Sequence, residues 1–141
     1  MTRWILFLMV ALCFLTPFSA NAETVERVLN GNTFTIPGKQ MVSLWGVTAQ
    51  KPGQRLGDKA KAHLSGLIAG QNVKLDCIEG PPKHRHCFVF HNGKDIAAEM
   101  VLAGLAVDNY RESGGLYSGC QRCAKLKKLG LWSVSGQSLK P

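Results

Sequence analysis

Three two-residue turn signals, Asn30-Gly31, Pro37-Gly38 and Asn92-Gly93, punctuate short apolar runs, and this confines the chain to short strands joined at tight corners. Val25, Val28 and Leu29 read as a first strand. Asn30-Gly31 then predicts a hairpin, because both residue types tolerate φ > 0. Thr33 to Ile36 makes the second strand, and Pro37-Gly38 turns the chain into a third, Met41 to Trp45. The stretch "TAQKPGQR" reads as loop.

The period then changes. Leu56, Ala60, Leu64, Leu67 and Ile68 recur at helical spacing, and Gly70 supplies a stop. Val73, Leu75 and Cys77 alternate with polar residues, which predicts a half-buried strand. "EGPPKHR" is a turn, and "HCFVFHNGK" is a strand ending at Asn92-Gly93. Asp95 is placed to cap a short helix carrying Ile96, Met100 and Val101, which ends at Gly104. Leu116 to Leu129 reads as a last helix stopped at Gly130, with Leu131 and Trp132 folding back. Short strands around one core with attached helices predict a mainly β fold: a five-stranded OB-type barrel with three helices.

The first 22 residues stand apart. Arg3 is followed by an apolar run from Trp4 to Leu15, Pro17 breaks it, and Ala20-Asn21-Ala22 has the small-x-small pattern of a cleavage site. This predicts a secretory signal peptide over 1–22, one domain over 23–141, and export to a bacterial periplasm or the medium. The run is shorter than the roughly 20 residues a membrane span needs, and no later stretch is apolar enough to span after cleavage. Losing Arg3 takes the formal charge from +8 to +7. Such a balance favours an anionic partner: nucleic acid, acidic polysaccharide or an anionic surface.

Cys13 leaves with the signal, so Cys77, Cys87, Cys120 and Cys123 remain. In an oxidising compartment they predict two disulfides. Cys77 and Cys87 flank one expected hairpin, and Cys120 and Cys123 form a C-x-x-C near the start of the last helix. The competing use is zinc, held by the cluster Cys77, His84, His86 and Cys87 and by the C-x-x-C pair Cys120 and Cys123, which requires both regions to meet and the thiols to stay reduced. Arg122, Lys125, Lys127 and Lys128 offer a polyanion-binding face, or simply a solvated helix surface. Tyr110 and Tyr117 are candidates for stacking on bases, or for packing between helices.

Several stretches taken together resemble the staphylococcal-type thermonuclease family. "RVLNGNTFTI" is similar to its strand followed by Asp-Gly-Asp-Thr, and "VSLWGVTAQK" to its Val-Arg-Leu-x-Gly-Ile-Asp-Ala-Pro-Glu. "GKDIAAEMVLAGLAVDNY" and "YSGCQRCAKLKKLGLW" resemble its later segments, so the likeness covers nearly all of Val25 to Trp132. The resemblance implies an OB-type barrel, and an activity that hydrolyses DNA and RNA phosphodiesters with one Ca²⁺.

It also implies where that chemistry would sit. The two metal carboxylates of the family fall on Asn32 and Thr48. The phosphate-gripping arginine falls on Ser43, and the glutamate that positions or activates water falls on Lys51. The second arginine falls on Arg85 or His84, depending on where a shortened segment is gapped. A hard cation wants charged oxygen ligands, and Asn32 and Thr48 bring none. The expectation is therefore an impaired or dead enzyme without a cofactor, binding a polyanion or an envelope protein. The alternatives are an active Ca²⁺-dependent nuclease, and a structural or assembly module of the cell envelope. Neither the natural ligand nor the oligomeric state is legible.

Overall fold

The structure is a computed structural model, and it describes residues 22–133. The expected signal peptide falls on residues 1–22, of which all but Ala22 lie outside the described residues.

The chain opens with two short strands, β1 (Ala22–Thr24) and β2 (Arg27–Val28), where one was expected. β3 (Thr33–Ile36) and β4 (Gln40–Leu44) follow as read from the sequence. After β5 (Val47–Ala49) comes helix α1 (Gly57–Ile68), which buries Ala60, Leu64 and Ile68 on one face. β6 (Asn72–Glu79), β7 (His84–His91) and the two-residue β8 (Lys94–Asp95) lead into α2 (Ile96–Leu102). β9 (Ala106–Asp108), the single turn α3 (Tyr110–Ser113), α4 (Ser118–Leu126) and a 3₁₀ turn over Gly130–Trp132 complete the order.

The main sheet runs β1-β6-β7-β4-β3-β2, with β8 attached to β7. All its pairings are antiparallel except β4 with β7, which is parallel. β1 and β2 lie at opposite ends of this order yet are separated only by Val25 and Glu26. Val25 is fixed on both sides, its N–H donating to Gln71 and its carbonyl accepting from Gly70. Counted as stretches of chain, 22–28, β3, β4, β6 and β7 are five, which is consistent with the OB-type arrangement.

Phe34, Ile36, Val42, Leu44, Val73 and Val89 fill the inner face of the sheet. Leu64 and Ile68 of α1 and Met100 and Val101 of α2 complete this core. Asp95 caps α2 as expected, its Oδ1 accepting from the N–H of Ala97 and Ala98.

Two further features depart from the sequence reading. β5 and β9 form a separate two-stranded sheet, although the first lay in the expected loop and the second beyond the expected helix end. The expected last helix, Leu116 to Leu129, is shorter at both ends, running Ser118–Leu126 as α4, and before it stands the unexpected turn α3, ended by Gly114 and Gly115 at positive φ. Below α4, Leu131 N–H donates to the Gly104 carbonyl at 2.8 Å. A Cβ on Gly104 or Gly130 would strike the backbone opposite, so the end of the chain is held by two glycines in contact.

Candidate functional site

The strand pleat sends alternate side chains to opposite faces. In β4 it places Val42 and Leu44 in the core and Ser43 on the other face. Register puts Thr33 of β3 and His86 of β7 opposite Ser43. The Thr33 and Ser43 hydroxyls lie 2.9 Å apart, and Ser43 Oγ is 2.9 Å from Nε2 of His84. The His84 ring stacks on His86 with centroids 5.3 Å apart, and Trp45 meets His86 edge-on at 6.4 Å. The result is a continuous polar and aromatic cluster of Thr33, Ser43, His84, His86 and Trp45. Thr33 and Ser43 are the buried polar residues among those described.

Asn32 sits at the edge of this cluster. Its N–H donates to Oδ1 of Asn30 at 2.9 Å, and its side-chain amide donates to the Val47 carbonyl at 3.3 Å. Its Oδ1 accepts from the Thr33 hydroxyl at 3.4 Å. Both ends of the side chain thus brace the loop against β3 and β5. Thr48 is exposed and pairs through its backbone with Val107. Lys51 is exposed in the following loop, where its N–H donates to Gln54. Glu112 accepts from Gly46 N–H, Asp108 from the Ser113 hydroxyl, and Asp95 from the Tyr117 hydroxyl.

Asn30 and Gly31 are not at positive φ, which corrects the expected hairpin geometry. Gly31 is needed for space. A Cβ there would lie 2.6 Å from Ala60 Cβ of α1 and 2.8 Å from Ala49 Cβ of β5.

Of the two sequence candidates for the second arginine position, His84 enters the cluster and Arg85 does not. Arg85 alternates with His84 and His86 along β7, so its side chain leaves the opposite face. Its guanidinium donates to Gln40 at 3.1 Å instead.

Cys77 and Cys87 are bonded, as their place on β6 and β7 predicts. That bridge also removes both thiols from the zinc alternative, and among the described residues no three His, Cys, Asp or Glu converge as a metal cluster. Cys120 and Cys123 are free thiols, against the expectation of a second bridge. The cause is helical: residues i and i+3 hold their Cβ atoms about 5–6 Å apart, whereas a disulfide needs about 3.5–4.5 Å.

Tyr117 does not face solvent. It is 2% exposed, and its hydroxyl donates to Asp95 Oδ2 at 2.9 Å. Burial, then the negative charge of Asp95 beside it, holds its phenol protonated far above the usual range. Of the two tyrosines, only Tyr110 is open for stacking, at 71% exposure. Arg122, Lys125, Lys127 and Lys128 are all exposed on α4 and just beyond it, and Lys125 Nζ lies 4.5 Å above the Trp132 ring.

Residues 39–134 match the family model described as Staphylococcal nuclease homologue. The chain belongs to the staphylococcal nuclease family. Within it, the chain is 31% identical over 121 residues to the "Probable endonuclease LCL3" of Verticillium alfalfae, across 75% of this chain and 41% of that protein. It is 29% identical over 120 residues to an "Uncharacterized endonuclease" of Haemophilus influenzae, across 80% of this chain and 67% of that one. The chain thus spans less than half of the fungal relative and about two thirds of the bacterial one. The contact that sequence reasoning missed in this nuclease-family site is Ser43 with His84. It arises from parallel pairing of strands 41 residues apart, for which the sequence carries no local signal.

Proposed function

We propose that this chain is an exported nucleic-acid-binding member of the nuclease family in which Ca²⁺-dependent hydrolysis is impaired. The observation that carries the reading is the state of Asn32: both ends of its neutral side chain are spent on bracing the loop. Thr48 adds only a hydroxyl, and Lys51 adds positive charge nearby. Ca²⁺ takes six to eight oxygen ligands and gains most from carboxylates, so this donor set does not fit the ion. No hydrolytic step is derived through it.

Binding is supported from other directions. The family acts on nucleic acid, the formal charge is +7 once Arg3 leaves with the expected signal, and Arg122, Lys125, Lys127 and Lys128 are exposed. Tyr110 offers an open ring for stacking. Without a base-reading motif, affinity should come from phosphate contacts and should fall steeply with salt. Changing Lys125, Lys127 and Lys128 to Gln should flatten the log–log salt dependence by about 0.7 per lost contact on single strands.

The names of the relatives favour a second reading, an active endonuclease. Fluorogenic DNA and RNA cleavage with Ca²⁺ and with EDTA separates the two. Background cleavage in both conditions is expected. A single Asn32→Asp change should not rescue activity, because residues that act as a unit are strongly non-additive. The combination Asn32→Asp, Thr48→Asp, Ser43→Arg and Lys51→Glu should gain Ca²⁺ affinity first. EDTA-sensitive turnover by the unaltered protein, lost on Asn32→Ala, would overturn the proposal in favour of the endonuclease.

A further inference from the structure

Cys120 and Cys123 are a chemically reactive pair outside the cluster around Ser43 and His84. They occupy the third and sixth positions of α4, which begins at Ser118. Cys120 is partly buried against the core, and Cys123 is exposed, so one sulfur is anchored and the other is accessible. The helix holds their Cβ atoms about 5–6 Å apart, too far for a disulfide without unwinding a turn. A bridging cation relaxes that limit. At thiolate–metal bonds of about 2.3 Å, an ion held between two sulfurs allows them to stand up to about 4.6 Å apart. Side-chain rotation alone changes the sulfur separation, so the helix need not unwind.

The rest of the site selects which ion. Zinc is almost always four-coordinate in structural sites, and no third His, Cys, Asp or Glu joins the two thiols among the described residues. A closed-shell monovalent ion is satisfied by two ligands in line, and soft sulfur donors select Cu(I) over harder cations. Burial, then neighbouring charge including that of Asp95 and Asp108, raises the Cys120 thiol, so it keeps its proton until a cation takes the proton's place. The α4 N-terminus favours the anionic product.

We propose that Cys120 and Cys123 form a two-thiolate site for a soft monovalent cation, Cu(I) or Ag(I). Binding replaces two S–H bonds with two S–metal bonds. One cation enters, two protons leave, and the product carries a single negative charge with no change of oxidation state.

The experiment uses purified protein with the Cys77–Cys87 bridge intact. It is titrated with Ag(I) and, without oxygen, with Cu(I) against a chromogenic Cu(I) chelator. Native mass spectrometry, thiolate-to-metal absorption and proton release report binding. One ion per chain and two protons per ion are expected. Cys120→Ser or Cys123→Ser should each weaken binding about 100-fold or more, as loss of one arm of a chelate requires. The exposed position of Cys123 makes its variant the safer test of folding, with melting followed in parallel. Uptake unchanged in both variants, or uptake lost only when His84 and His86 are changed to Ala, would overturn the proposal. So would absence of uptake, or a Cys120–Cys123 disulfide in protein whose thiols were trapped at isolation.

Discussion

Asn30-Gly31 and Asn92-Gly93 are the same dipeptide between two strands, and the fold uses them for different reasons. At the second, φ is 50° for Asn92 and 75° for Gly93. Phe90 pairs with Asp95 and His91 with Lys94, so these two residues alone make the corner. Here the dipeptide is chosen for backbone conformation. At the first, neither residue is at positive φ, and the corner is wider, with Leu29 N–H donating to the Thr33 carbonyl. Gly31 is chosen because two alanines from α1 and β5 already occupy the space. The lesson reaches the functional site. The loop of Asn30 to Asn32 is held by packing at Gly31 and by the hydrogen bonds of Asn32.

Gly31→Ala should give the largest effect. Its Cβ would overlap Ala60 and Ala49 at once, and overpacking of this kind costs about 1–3 kcal/mol. We expect the upper end, about 3 kcal/mol, because the neighbours belong to two different elements. Ala49→Gly should relieve part of it, giving a coupling energy above about 0.5 kcal/mol in a double-mutant cycle by urea unfolding. Ala49 is the better partner, since glycine at Ala60 would add about 1 kcal/mol of helix cost. A cost for Gly31→Ala no greater than at Gly93, without coupling to Ala49, would erase the distinction between the two turns.

Asn32→Asp tests the same loop through its hydrogen bonds. The Asn32 amide donates to the Val47 carbonyl, and a carboxylate cannot. Two oxygens would face each other, so the change should cost about 1–2 kcal/mol at neutral pH. The introduced carboxyl is favoured in its protonated form, which raises its folded pKa above the unfolded value. The destabilisation is therefore full above the folded pKa and shrinks as pH falls, because the unfolded state sheds its proton first. Urea midpoints of the variant and the parent should converge in acid. A constant gap across pH would show that the Val47 contact is not the cause.

These outcomes also mark what the sequence could reveal. Asp95 as a cap, Gly70 as a helix stop and the alternation of Val73 and Leu75 were legible because each signal acts within a few residues, whereas Cys77, expected on the same buried face, is exposed. The three-residue strands β5 and β9 were not, since neither is long enough to show a period, and they exist only because they pair. Tyr117 was ambiguous for the same reason: its burial depends on Asp95, 22 residues earlier. At the site, the identities of Asn32, Ser43, Thr48 and Lys51, three neutral side chains and one cation, were legible residue by residue. The choice of His84 over Arg85 was not, because it follows from the face that β7 turns toward Ser43.

Gly93→Ala should give the smallest effect. A Cβ there meets nothing within 4 Å, so the penalty is conformational alone. An L-residue held in the left-handed region costs about 1–2 kcal/mol, and the lower end is expected at an open two-residue turn. No neighbouring substitution should recover it, because no neighbour is displaced. Gly93→Asn is the informative companion, since asparagine visits this region more readily than alanine and should restore part of the loss. Urea unfolding of Gly93→Ala, Gly93→Asn and the parent would check the order. If alanine and asparagine prove equally costly, or if a packing change nearby restores stability, then space rather than φ governs this turn too, and the contrast with Gly31 collapses.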